Sequence, residues 1–340
     1  MAEEQEITAP FETEELQAGW ATKSAARPRC YAYFALAAKT DLGRLRENNE
    51  DKFDWLEPDE PSVLATKGRV FAVADGMGGH SAGQIAAELA LNVFIRSYYS
   101  DTSADVPASL QKAVYEANAY VVDVATTIPG RKGMGTTLTA AVVRDDDLYL
   151  AQVGDSRCYL LRGGRVEQIT EDHSWVAEQV RAGAMTLEQA EQSPFRNVIT
   201  RSMGGAPEVE PDITAVKLLP GDRYLLCSDG LSGMVSDAEL GELLSQGSPS
   251  VAVWSLIERA NQNGGKDNIT ALVLHVADIQ PWPEEGEGAA EVSALPEPAT
   301  NGKAPEPMAA VAVPAATAPP VMEPEVPPKP GLIRKLFGRA

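Results

Sequence analysis

The stretch 70–90, VFAVADGMGGHSAGQIAAELA, constrains the fold more than any other part of the chain. Its apolar run 70–74 reads as a buried strand that stops at Asp75-Gly76. Gly76, Gly78 and Gly79 make a corner, and from Ser81 the apolar residues return at helical spacing. Strand, glycine corner and helix together frame a polar site. Three uses of that frame stay open at this point: a backbone nest that cradles phosphate, an aspartate held at a strand end as a metal ligand, or a tight connection without chemistry.

The rest of the chain supplies companions for this frame. Residues 31–39 (YAYFALAAK) read as a strand, and 40–51 (TDLGRLRENNED) as a loop too polar and too rich in Gly and Asn for a core element. Helices are expected from Ser81 to about 99 and over about 108–125. From Gly133 the pattern shifts to period two, which predicts an antiparallel meander with a hairpin turn at Gly163-Gly164. Residues 172–191 read as two short helices interrupted at Gly183. RYLLCSD, 223–229, is another buried strand ending in an acid. Helices over about 237–244 and 251–261 precede a last strand, 268–276, which follows a glycine corner holding Asp267. Strands with segregated helical layers indicate an α+β sandwich and not a βαβ repeat.

Composition narrows the function classes. The chain has 340 residues, 44% of them hydrophobic, enough for a substantial core. Its net charge of -20 argues against nucleic acid as a general partner. Cys30, Cys158 and Cys227 are odd in number and widely spaced, which suits neither a disulfide framework nor a zinc site. The acidic N-terminus does not read as a signal peptide, and no apolar run is long enough for a spanning helix, so a cytoplasmic protein is expected. Beyond Asp278 thirteen of the 24 prolines fall within 281–330, among Ala and Glu. The expected layout is a flexible acidic arm at 1–28, a catalytic domain at 29–278, a disordered linker at 279–330 and a basic amphipathic tail at 331–340. The tail, GLIRKLFGRA, reads as a weak membrane or partner docking element, or as a solubilised end.

Asp75, Asp229 and Asp267 each stand at a strand end or glycine corner, and each is followed by Gly or Asn. One such acid is ordinarily a turn. Three of them, with Asp155 and the Glu50-Asp51 pair, supply enough hard oxygen donors for Mg²⁺ or Mn²⁺. Two such ions can orient a water for in-line attack on phosphorus, and Arg46 can hold the phosphate through a bidentate fork.

Eight ordered strings, TDLGRLRENNED, VADGMGGHSAG, GMGTTL, VGDSRCYLLR, EDHSWV, NVITRSMG, LLCSDGL and GGKDNIT, resemble the metal-dependent protein phosphatases of the type 2C serine/threonine family, in its bacterial branch. The resemblance covers about 31–278. It implies a sandwich of two antiparallel β-sheets flanked by α-helices, with a metal centre at one end. It also implies hydrolysis of phosphoserine and phosphothreonine on proteins, opposing serine/threonine kinases in bacterial signalling. Carried over by position, Asp75 bridges two Mn²⁺ or Mg²⁺ ions and the carbonyl of Gly76 binds the second. Asp229 and Asp267 complete the first, Asp51 holds a metal or its water, and Asp155 serves a third, weakly held ion. Arg46 contacts phosphate, and 176–197 form a variable flap. Where eukaryotic members place a histidine after Asp-Gly, this chain has Met77; His80 is the candidate acid, beside the alternatives that it caps or packs a helix start and that a metal-bound water serves instead. His173 and His275 read as structural. A phosphatase of small metabolites and a silent phosphoprotein adaptor are the alternative functions.

Overall fold

The computed structural model describes residues 26–78 and 81–283. Gly79 and His80, nearly all of the acidic arm and the linker, and all of the tail lie outside the described residues. In chain order the elements are β1 (Cys30–Asp41), β2 (Lys52–Leu56), α1 (Pro61–Thr66), β3 (Arg69–Ala74), β4 (Gly76–Met77), α2 (Ser81–Ser100), α3 (Val106–Thr127), β5 (Gly135–Thr136), β6 (Leu138–Arg144), β7 (Asp147–Val153), β8 (Arg157–Arg162), β9 (Arg165–Gln168), α4 (Trp175–Arg181), α5 (Leu187–Glu191), β10 (Asp212–Lys217), β11 (Arg223–Cys227), α6 (Asp229–Ser232), α7 (Asp237–Ser245), α8 (Pro249–Gln262) and β12 (Ile269–Pro281).

Two antiparallel sheets form the centre, one in the order β1-β12-β11-β8-β9 and the other β10-β7-β6-β3-β2. Strand β3 shows why they stack. All six of its residues are buried, and because strand side chains alternate, the two faces serve two cores. Phe71 and Val73 lie between the sheets with Val143, Leu150, Leu226 and Leu272. Val70, Ala72 and Ala74 face outward onto α2 and α3, whose Ala86, Ala90, Ala113 and Ala117 let helix and sheet approach closely. A third core covers the far face, where Leu225, Cys227 and Val273 lie under Leu240, Leu256 and Ile257 of α7 and α8. The result is four layers, helix, sheet, sheet, helix, as expected. Among the described residues no helix is long and apolar enough to cross a membrane.

The expected meander is half right. Hairpins β6-β7 and β8-β9 form, the second through Gly163 and Gly164 at φ 58° and 80°, the left-handed pair that a two-residue turn needs. Strands β7 and β8 do not pair; they belong to different sheets. Alternation identifies a strand but not its neighbour, and the turn at Gly154, φ 104°, carries the chain across the sandwich. Asp155 sits in that crossing.

Register then places the acids. Lys52 pairs with Ala74, Leu138 with Val153, Arg157 with Cys227, Cys227 with Ala271 and Asp41 with Ile269. These pairs lie at the strand ends that form one end of the double sheet. Asp51 immediately precedes that end, Asp75 immediately follows it, Asp155 spans it, and Asp229 and Asp267 flank it.

Candidate metal centre

The Asp75-Gly76 corner is held by its main chain. Asp75 N–H donates to Thr137 Oγ1 (2.9 Å), and the Asp75 carbonyl accepts from Thr137 N–H (2.9 Å) and Thr136 Oγ1 (2.8 Å). Thr137 Oγ1 also meets Ser156 Oγ at 2.8 Å, which links the corner to the turn carrying Asp155. The glycines after the acids are needed for space. A Cβ on Gly76 would fall onto the Gly83 carbonyl of α2 and within 2.7 Å of the Glu50 carbonyl oxygen. A Cβ on Gly230 would fall onto the Asn268 carbonyl and lie 3.2 Å from Asp267 Cβ. The repeated Asp-Gly pairs therefore mark two places where backbone meets backbone beside a carboxylate.

Exposure rises from Asp51 outward. Asp51 and Asp155 are buried, Asp75 and Asp229 half-buried, and Asp267 and Arg46 stand at the rim. Buried Oδ1 atoms of Asp51, Asp155 and Asp229 have no hydrogen-bond partner. Burial first, and then the charges of Asp51, Asp229, Asp155 and Asp267, push the Asp75 carboxyl well above the usual carboxylate range. Burial likewise lifts Asp51 to about 7 and Asp155 to about 8, in both cases assisted by the charge of Asp229. Asp229 is raised by burial and by the charge of Asp267. Uncompensated carboxylates in such a setting favour a proton or a cation.

The acids converge without closing a cage: among the described residues no group of three or more His, Cys, Asp or Glu side chains has the geometry of a finished metal site. Their chemistry nonetheless suits a hard divalent ion, since the donors are all oxygen and three buried carboxylate oxygens are orphaned. Arg46 Nη2 reaches Asp267 Oδ2 at 2.6 Å, which brings the loop guanidinium to the rim of the pocket. That loop is tied to Asn268, whose amide donates to the carbonyls of Leu42 and Asn48 (both 3.0 Å) and accepts from Glu50 N–H (2.8 Å).

The protein phosphatase 2C family matches this sequence over residues 40–182. Serine/threonine phosphatase stp of Listeria innocua is 39% identical over 241 residues, which cover 69% of this chain and 93% of that protein. The chain belongs to the protein phosphatase 2C family. Serine/threonine protein phosphatase PstP of Mycobacterium tuberculosis is 41% identical over 242 residues; they make up 71% of this chain and 45% of PstP, so the chain spans less than half of that relative. The crystal structure of the PstP catalytic domain in complex with two manganese ions superposes with a TM-score of 0.63 at 39% identity, covering 72% of this chain and 99% of that one.

In this family member the sequence-predicted Arg46, Asp51, Asp75, Gly76, Asp155, Asp229 and Asp267 all lie at one end of the sandwich. His80 lies outside the described residues. The flap contains α4 and α5 and is closed at its root by the bridge between Ser174 and Ile199. His173 is structural, as expected: fully buried, it accepts the Gly154 N–H on Nδ1 (3.1 Å), while Nε2 faces Asp212 Oδ2 (3.0 Å). Sequence reasoning assigned no role to Thr137, Ser156, Ser228, Asn268 or Thr270, which bond to the acids or brace the backbone beside them. Their signal was present in the strings GMGTTL, VGDSR, LLCSDGL and KDNIT, where only the acids drew attention.

Proposed function

We propose that this chain is a metal-dependent serine/threonine protein phosphatase that hydrolyses phosphoserine and phosphothreonine on proteins. The observation that carries the reading is the set of partnerless buried oxygens on Asp51, Asp155 and Asp229, converging with Asp75 beside Arg46. The names and identities of the relatives support the same reaction. Asp75, the Gly76 carbonyl, Asp229, Asp267 and Asp51 would hold two Mn²⁺ or Mg²⁺ ions, and Asp155 a third, more weakly bound. When bound, such ions supply positive charge to the phosphoryl oxygens and lower the pKa of water for in-line attack.

The chain's own residues do the rest. Thr136 and Thr137 fix the Asp75 main chain, and Gly76 and Gly230 allow the segments to approach. Arg46, about half exposed at the rim, grips the substrate phosphate from solvent. His80, outside the described residues, is the candidate to protonate the departing alcohol, a role that a metal-bound water could fill instead. The catalytic work is assigned to residues 29–278, the compartment to the cytoplasm, and the substrates to phosphorylated proteins that include serine/threonine kinases. Purified protein should release phosphate from a phosphothreonine peptide only with Mn²⁺ or Mg²⁺, and Asp75→Ala or Asp267→Ala should abolish the release. Absence of turnover of both the peptide and an aryl phosphate in Mn²⁺ would overturn the reading.

A further inference from the structure

Asp51 is the deepest of the acids, 1% exposed, and its two oxygens are treated unequally. Oδ2 lies 2.6 Å from Ser228 Oγ and 2.7 Å from Thr270 Oγ1, whereas Oδ1 is equally shielded from solvent and has no partner. Both hydroxyls come from fully buried residues. Proton direction can be followed along the chain of contacts. Thr270 N–H donates to Ser228 Oγ (3.0 Å), so the Ser228 proton is left for Asp51. Asn49 Nδ2 donates to Thr40 Oγ1 (2.9 Å), which lies 2.8 Å from Thr270 Oγ1. An ionised carboxylate only accepts, so Thr40 donates to Thr270 and Thr270 donates to Asp51. Asn49 Oδ1 in turn accepts the Asp51 N–H (3.1 Å), which returns the chain to its start.

We propose that Ser228 and Thr270 are positioning residues that hold Asp51 for a divalent cation, saturating Oδ2 and leaving Oδ1 as its single ligand oxygen. The inference rests on the metal reading above. Two hydroxyls on one oxygen fix the rotation of the carboxylate, keep it from chelating through both atoms, and set its direction before any ion arrives. Both residues are fully shielded from solvent. Partners of this kind change metal affinity by about 10- to 100-fold when removed.

The test is Mn²⁺ uptake by the full chain without substrate, read from the electron paramagnetic resonance signal of free Mn²⁺, with thermal unfolding as the check on folding. Thr270→Val keeps the shape and removes the hydroxyl; it should bind Mn²⁺ about 10-fold more weakly or worse. Thr270→Ser restores the hydroxyl without the methyl and should bind close to wild type. Ser228→Ala should match Thr270→Val in direction. A folded Thr270→Val with wild-type affinity overturns the proposal, as does Thr270→Ser binding as weakly as Thr270→Val. If Thr270→Val does not fold, Ser228→Ala decides: weakened uptake upholds the proposal and wild-type uptake overturns it. No Mn²⁺ uptake by folded wild-type protein would instead remove the metal reading beneath it, a result distinct from equal uptake by wild type and variants.

Discussion

Replacing Asn268 with alanine tests how the loop that carries Arg46 is held. Asn268 is 4% exposed, and its amide ties Leu42 and Asn48, near the two ends of that loop, and Glu50 N–H to the start of β12. Each of the three bonds contributes about 0.5–1.5 kcal/mol net, and a buried N–H left without a partner costs about 1–3 kcal/mol. Glu50 N–H is the buried one; Leu42 is exposed, so water can take over part of what the two carbonyls lose. The expected loss is about 2–4 kcal/mol, dominated by Glu50. Urea unfolding followed by tryptophan fluorescence reads it as a lower midpoint at unchanged slope. Because Arg46 lies on the freed loop, KM for a phosphothreonine peptide should rise more than kcat falls. A stability change under about 0.5 kcal/mol, the size of an ordinary surface substitution, would refute this account of the loop.

Gly230→Ala should abolish Mn²⁺ uptake while leaving the chain folded, because its Cβ would push apart the segments carrying Asp229 and Asp267; calorimetric titration checks it, and near-native affinity would contradict the close-approach argument. Arg69 is 4% exposed, donates to the Ala32 carbonyl at 2.6 Å and stands 4.6 and 4.4 Å from the Tyr31 and Phe34 rings. Arg69→Ala should cost about 2–4 kcal/mol in urea unfolding without changing Mn²⁺ affinity, since it lies at the opposite end of β3 from Asp75. Metal binding should release protons at pH 7, because Asp51 and Asp155 are lifted to about 7 and about 8 and must ionise to act as ligands. These raised values mean that the folded metal-free chain binds more protons than the unfolded one, so its stability should fall as pH rises from about 4 to 8, while Mn²⁺ affinity rises toward pH 8. A binding enthalpy independent of the ionisation enthalpy of the buffer would contradict the proton release.

The acids were legible because Asp-Gly after an apolar strand is a local pattern, and it recurs at Asp75 and Asp229. The strands and helices with clean periodicity were legible for the same reason, α3 and β3 among them. What escaped was either weakly patterned or non-local. Strands β2 and β10 are edge strands with exposed residues, Trp55 and Leu56 in one and Thr214 and Ala215 in the other, so their alternation is blurred. The crossing at Gly154 was invisible because the residues around it alternate in the same way whether the next strand pairs or changes sheet. Ser228 and Thr270 escaped because a hydroxyl acquires meaning only through a carboxylate more than 170 positions away in the chain.

The pairing of β1 with β12 has a bearing on when this protein can work at all. Cys30 faces Pro281, and Asp41 faces Ile269, so the first strand of the domain finds its partner in the last. Asp267 and Asn268 arrive only with that last strand. A chain still emerging from the ribosome, or one that ends before Asp267, therefore lacks both an acid of the cluster and the amide that tethers the arginine loop. On the phosphatase reading proposed above, activity would report the finished fold, and a partly synthesised copy would be silent.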